Sequence, residues 1–271
     1  MWWIICGIAA GGIAVERFWP ANELPSVRGW WARVALVNAL QLGIVVVVGA
    51  GWDRWLARFS LLHLSAHCGD LASGAIAYLV ATFFYYWWHR CRHESQFFWR
   101  TCHQLHHSAR RLEIVTSFYK HPVEIFLNAL LGCGLTYLLL GCTPRAAAIC
   151  TLLSVGAEFF YHWNIRTPRW LGFVVQRPES HRIHHQFRHH TSNFADLPIW
   201  DAIFGTLDNA RRNPARCGFE PEREERIEEM LLFRDVHAAA NEKARTPVFL
   251  PTCFGCRKRW ACAGTQMESA R

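Results

Sequence analysis

The sequence predicts an all-α fold: an integral membrane helical bundle of about four to five spans, with a cytoplasmic helical cap that holds the histidine boxes. Three observations predict it. Apolar residues make up 52% of the 271-residue chain and gather into runs of 17–25 residues or nearly so, the length a bilayer crossing needs. The 14 tryptophans suit a protein that meets the lipid–water boundary. Positive charge is uneven along the chain: segments 16–33 and 89–122 carry Arg17, Arg28, Arg33, Arg90, Arg92, Arg100, Arg110, Arg111 and Lys120, and the intervening loops carry only Arg54, Arg58 and Arg145. By the positive-inside rule, that bias places the first set and the C-terminus in the cytoplasm. The expected location is therefore multi-pass in a membrane, the inner membrane of a bacterium or the endoplasmic reticulum of a eukaryote.

Residues 1–15 are apolar with no basic stretch before them, so they read as a short membrane helix rather than a secretory signal. Pro20 and Pro25 mark a loop, and 34–50 is the second span. Residues 52–68 mix Asp53, Arg54 and Arg58 with Trp55, Leu56 and Phe59, the pattern of an amphipathic helix lying in the interface. The third span, 71–88, runs straight into His89. The fourth is 123–140, the fifth is 146–163, and a tight turn at Gly141–Pro144 joins them. Beyond Asn164 no long apolar run remains. Residues 220–243 are charge-dense with Ile227, Met230, Leu231 and Val236 at helical spacing, predicting an amphipathic helix outside the bilayer. The domain division expected is 1–70 for the N-terminal membrane and interfacial helices, 71–208 for the histidine-bearing domain, and 209–271 for a polar cytoplasmic tail.

The net charge of +8 comes without a separate basic domain, so it reads as membrane flanks and headgroup contact rather than nucleic-acid binding. The 11 cysteines lie scattered, many inside apolar runs, which predicts reduced thiols rather than a disulfide framework. Cys253 and Cys256 with Cys262 supply too few ligands for a structural zinc.

The chemistry lies in three histidine boxes: His89 and His93; His103, His106 and His107; and His181, His184 and His185. Spacings of three and four place side chains on one helix face, so each box can aim its imidazoles at a single point. Imidazole is the commonest protein metal ligand, and eight are more than one ion accepts, which implies two ions. No cysteine falls in ligand register, and open positions on non-haem iron activate dioxygen, so iron is preferred to zinc. A site at the mouth of a membrane bundle implies a lipid, whose unactivated C–H bonds demand such an oxidant.

These boxes, with the motifs around them, resemble the fatty acid hydroxylase/sterol desaturase superfamily of membrane di-iron enzymes. Tyr86–Arg90 resembles the approach to the family's first box, His121-Pro122 with Glu124 its HPxE element, and Phe160 with His162 and Asn164 its FxHxN element. Asn193-Phe194, Trp200-Asp201 and Phe204–Thr206 resemble its closing motif. The likeness covers about residues 78–208. Ala195 and Gln186 depart from the family's usual Gly and Ser. The resemblance implies two iron ions, replaceable by zinc in a purified sample, held by His89, His93, His103, His106, His107, His162, His181, His184 and His185. It implies a lipid substrate, O2, and hydroxylation or desaturation of a C–H bond in lipid metabolism. It also implies a separate cytoplasmic electron donor fed by NAD(P)H, since the chain has neither a GxGxxG nor a CxxCH signature.

Two acids are candidate catalytic residues. Glu158 stands four residues before His162, where it would ligate a metal, orient a ligand, or simply hydrogen-bond its neighbours. Asp201 is expected to fix a histidine tautomer from behind, or else to cap a turn. His121 reads as a helix cap or an outer partner before Pro122 rather than a tenth ligand. His189 and His190 fall out of register, His63 and His67 lie on the wrong side of the third span, and His237 lies in the tail. Tyr85–Trp88 reads as an interfacial belt that can also wall a lipid path. The rival reading is a membrane zinc hydrolase or a metal-handling protein. A hydrolase would want an HExxH motif, and a transporter would want charges in mid-span, and neither is present.

Overall fold

The computed structural model describes residues 2–187, 189, 191–209, 211, 213–214 and 216–237. Five long helices run side by side: α1 (Trp2–Phe18), α2 (Trp30–Ala57), α4 (Asp70–Glu94), α7 (Pro122–Cys133) and α8 (Pro144–His162). Shorter helices connect or cap them: α3 (Leu64–His67), α5 (Gln96–Phe98), α6 (Gln104–Ser108), α9 (Pro178–His184), α10 (Pro198–Ile203), α11 (Pro221–Glu224) and α12 (Ile227–Leu231). No strand forms among the described residues, and one isolated bridge pairs Gln186 with Cys217.

The long helices alternate in direction, as the contacts at their ends establish. At one end the Thr143 hydroxyl donates to Asp70, so α4 and α8 start together. At the same end Leu61 N–H bonds the Leu138 carbonyl, so α2 and α7 finish there. At the other end Arg17 of α1 and Trp30 of α2 both reach Glu113. Helices α1, α4 and α8 therefore run toward the end that carries the boxes, and α2 and α7 run away from it. Gly74 lets α4 and α8 approach closely: a Cβ there would fall 2.6 Å from Ile149 Cβ and 2.7 Å from the Ala146 carbonyl.

Two segments, Trp30–Gly49 and Pro122–Leu139, are long and apolar enough to cross a membrane. The second continues α7 through a π-helical turn, Gly134–Leu139. Leu36, Leu40, Val46 and Val47 of α2 and Leu71, Ile76 and Leu79 of α4 are exposed, an apolar flank suited to lipid.

Two expectations fail. The interfacial helix predicted over 52–68 is instead the end of α2, which runs unbroken to Ala57 because no proline interrupts it; only α3 follows. The helix predicted over 220–243 is, within its described part, two short turns, because Arg226 leaves helical geometry between α11 and α12. Its remainder, His190 and Cys253–Cys262 lie outside the described residues.

Residues 216–237 lie across the box end. Phe219, Met230 and Val236 share a buried cluster with Trp99, Leu105 and Tyr119, and with Val27, Trp30 and Val34 from the start of α2. Gln104 ties this cover to α6, donating to the Arg234 carbonyl at 2.6 Å and accepting from Val236 N–H at 3.4 Å.

Candidate metal centre

The first box closes α4, since His89 and His93 fall in its last two turns. The second is reached through a π-helical stretch, Trp99–His103, that leads into α6. A π turn accommodates an extra residue and rotates the next helical turn about the axis, a device common at functional sites. His162 ends α8, where the chain turns extended at Trp163. The third box rides on α9, started by Pro178 at its first position.

The structure brings all nine expected histidines together, in two adjoining groups. His89, His93, His103, His107 and His184 form one, and His106, His162, His181 and His185 the other; within each, ligand-capable nitrogens lie within 4.8 Å of one another. All but His89 are fully buried. Rings of the two groups touch, with His107 stacked on His185 at 4.1 Å.

One expectation about direction is corrected. The second and third boxes do not aim at a single point but divide between the two, while His89 and His93 of the first stay together. His103 and His107 serve the first group and His106 the second; His181 and His185 serve the second and His184 the first. Helical geometry is the reason. At about 100° per residue, positions i and i+4 lie roughly 40° apart, while i+3 stands about 100° from i+4.

Partners behind the rings set their protonation. His89 Nδ1 donates to the Phe194 carbonyl at 2.7 Å, His162 Nδ1 to the Glu158 carbonyl at 2.9 Å, and His184 Nδ1 to the Ser192 carbonyl at 2.6 Å. His106 Nδ1 lies 3.3 Å from the Tyr119 carbonyl. A carbonyl only accepts, so these Nδ1 atoms carry the proton and the Nε2 lone pairs face inward. Inward, Nε2 atoms confront one another: His93 and His103 at 3.0 Å, His162 and His181 at 3.1 Å, His107 and His184 at 3.2 Å. His89 Nε2 is buried with no hydrogen-bond partner among the described residues. Where Nδ1 is held by an acceptor, as at His162 and His184 by carbonyls and at His103 by Glu124, the inward Nε2 carries a lone pair, and lone pairs gathered in a buried site call for a cation between them. Burial, reinforced by the adjacent imidazoles, holds His106 and His181 well below the usual histidine pKa, so both are neutral ligands at neutral pH. The donor set thus fits metal ions at both points.

Glu124 supports the first group, a role that sequence reasoning did not assign. Fully buried in the first turn of α7, its Oε2 accepts from His103 Nδ1 at 3.0 Å and its Oε1 accepts from Arg92 Nη1. The available signal was its place three residues after His121 in the HPxE element. Gln176 is a second such residue: its amide lies 3.0 Å from His181 Nδ1.

The two candidate acids stand apart from the imidazole points. Glu158 accepts from Lys120 Nζ at 2.6 and 2.8 Å, and only its backbone carbonyl meets His162. Asp201 is buried, and its carboxylate accepts from Phe194 N–H, Ala195 N–H and the Thr206 hydroxyl at 2.8, 3.0 and 2.7 Å. It therefore acts on His89 at one remove, by fixing the peptide whose carbonyl holds that ring, rather than by direct contact. Burial pushes its pKa up to about 6 against these bonds. His121 accepts from Val123 N–H at 3.1 Å and caps α7. His63 and His67 lie at the far end of the bundle, before α4. His189 meets Ser192 at 3.2 Å, and His237 packs on Phe219.

A dry cage of inward-facing histidines at the end of an apolar helical bundle defines a metal-binding protein of the histidine-box class. Residues 74–206, which hold all nine imidazoles, match the fatty acid hydroxylase family. Over 136 residues it is 30% identical to human (Homo sapiens) alkylglycerol monooxygenase, covering 49% of this chain and 30% of that protein. It is 29% identical to sphinganine C4-monooxygenase 1 of Arabidopsis thaliana, covering 48% and 52%. It is 27% identical to the very-long-chain aldehyde decarbonylase GL1-9 of Oryza sativa subsp. indica, again covering 48% and 52%. The chain thus spans about half the length of these relatives, or less. No solved structure matches.

Proposed function

We propose that the chain is a membrane-bound oxidoreductase that uses two irons, O2 and electrons from a separate cytoplasmic donor fed by NAD(P)H to hydroxylate a lipid C–H bond, desaturation being the other outcome of the same hydrogen removal. The observation that carries this reading is the convergence of nine imidazoles on two adjoining buried points. The relatives are named for acting on an alkylglycerol, a sphinganine and a very-long-chain aldehyde, a shared long-chain lipid character.

When bound, a pair of irons supplies the redox chemistry of dioxygen activation. The protein residues supply the rest. Each group of histidines holds one ion, and the backbone carbonyls behind them keep Nε2 available. Glu124 orients His103, and Asp201 orients His89 through Phe194. Glu158, anchored by Lys120, holds the end of α8 beside His162. Burial excludes water that would quench a strong oxidant. The exposed apolar flank of α4 gives way to the half-buried Tyr85, Trp87 and Trp88 and the buried Tyr86, and offers a lipid chain a path from the bilayer toward His89. The five alternating helices are read as spans, with the boxes facing the cytoplasm as the arginine bias directs.

The test is metal analysis of protein reconstituted without oxygen, followed by oxygen uptake against a panel of long-chain lipids. Two irons per chain with lipid-dependent uptake are expected. One tightly held zinc with hydrolysis of an ester or amide would replace this reading with the hydrolase.

A further inference from the structure

A second polar cavity opens away from the histidines, where α1 ends. It measures about 190 Å³ and is lined by Glu16, Arg17, Glu23, Arg111, Glu113 and Asn164 among others. One water needs roughly 10–15 Å³ on this scale, so the space takes a ligand of several heavy atoms.

The carboxylates in it are unequally satisfied. Glu113 is buried and accepts from Arg111 Nε at 2.6 Å, Trp30 Nε1 at 2.8 Å and Arg17 Nη2 at 3.0 Å. Glu16 is only 4% exposed. Its Oε2 accepts from Ile114 N–H at 3.1 Å and Asn164 N–H at 3.2 Å, while its buried Oε1 has no hydrogen-bond partner among the described residues. A buried carboxylate oxygen without a donor is costly, so the cavity calls for a donor, and for a cationic one. The lining brings three carboxyl groups, Glu16, Glu23 and Glu113, beside two guanidinium groups, Arg17 and Arg111. Neither guanidinium is saturated. Among the described residues, Arg17 gives protein acceptors only its bond to Glu113, and Arg111 adds only the Pro25 carbonyl at 2.8 Å. Both keep N–H groups for an anion.

The surroundings fix the depth. Phe18, Trp19 and Trp31 are exposed around this end of α1, and the Arg17 guanidinium lies 4.7 Å from the Trp31 ring centre. An exposed aromatic girdle at the end of an apolar helix marks headgroup level in a bilayer. A ligand there that joins an anion to a hydrogen-bonding cation is a phospholipid headgroup with a primary amine. A quaternary ammonium has no N–H to give Glu16, and a phosphoglycerol headgroup has no cation at all.

We propose that this cavity is a binding site for an aminophospholipid headgroup, its ammonium donating to Glu16 Oε1 and its phosphate held by Arg17 and Arg111. The site is separate from the histidine centre, and its test does not depend on metal or turnover. The full chain is reconstituted in bilayer discs of equal parts phosphatidylethanolamine, phosphatidylcholine and phosphatidylglycerol, and the lipid retained after detergent exchange is measured by native mass spectrometry. Phosphatidylethanolamine is expected at about tenfold enrichment over phosphatidylcholine, the low-end worth of one charge-assisted hydrogen bond. Glu16→Gln keeps an acceptor for Ile114 and Asn164 but turns a donor into the cavity, so it should erase that enrichment. Arg17→Gln, on a side chain 42% exposed, should lower retention of phosphatidylethanolamine without unfolding the chain. Equal retention of phosphatidylethanolamine and phosphatidylcholine by the wild-type chain would overturn the proposal. So would a preference for phosphatidylglycerol, or an unaltered preference in a folded Glu16→Gln variant.

Discussion

Replacing Glu124 by Gln preserves the shape of the side chain and removes its charge. Arg92, buried beside it, then loses its carboxylate, and His103 Nδ1 loses the acceptor that orients the ring. Breaking a buried ion pair from one side costs about 3–5 kcal/mol, an upper figure here because Gln retains a carbonyl. For a chain of this size each kcal/mol moves the melting point by about 2–4 °C, so a drop on the order of 10 °C is expected. Removing a partner behind a metal-bound histidine weakens metal retention about 10–100-fold. That weakening should fall first on the group containing His103, while the group containing His162 keeps its metal longer. The assay is thermal unfolding in detergent together with metal content after timed chelator challenge. A Glu124→Gln protein that melts with the wild type and surrenders its metal no faster would refute the assignment of Glu124 as the support of His103.

Four further outcomes can be checked. Asp201→Asn turns an amide donor toward Ala195 N–H and should cost about 1–3 kcal/mol in unfolding measurements, with faster metal loss through His89; an unchanged chelation rate would detach Asp201 from the centre. Glu158→Gln should retain full metal content, since its carboxylate is taken by Lys120; loss of one ion per chain would make Glu158 a ligand after all. Gly74→Ala should destabilise by about 1–3 kcal/mol by forcing α4 from α8, and normal melting would show the helices have slack there. The metal-free protein should lose stability as pH falls below about 6.5. His106 and His181 resist protonation when folded and accept it when unfolded, which gives up to about 1.4 kcal/mol per pH unit for each. A flat melting profile across that range would contradict their low pKa values.

Much of the centre is legible in the sequence because histidine spacing is a direct statement about which rings can converge. The boxes name eight of the nine residues, the family motif adds His162, and apolar runs locate all five long helices, although α2 and α4 run six or seven residues past the expected ends and α7 gives way to a π-helical turn before its expected end. Sequence spacing does not disclose that the second and third boxes each divide between two points, because that depends on the rotation of α6 and α9 about their axes. Nor does it reveal the carbonyls of Phe194, Glu158 and Ser192, since a backbone acceptor has no letter of its own. Asp201 reads as a direct partner of a histidine, although its carboxylate is spent on two peptide N–H groups and a hydroxyl. The end of α2 misleads because Asp53, Arg54 and Arg58 look like the polar face of a new helix, when they lie on or just beyond the last turns of the same one.

The cover formed by residues 216–237 sets a boundary that homology alone would place too early. Phe219, Met230 and Val236 complete the outer wall of the turn that carries His103, His106 and His107, and Val27, Trp30 and Val34 close it from the other direction. A fragment trimmed to the matched residues 74–206 would lay Trp99 and Leu105 open to water and leave Gln104 without its two backbone partners from this cover. The unit that is inherited is thus smaller than the unit that holds its shape.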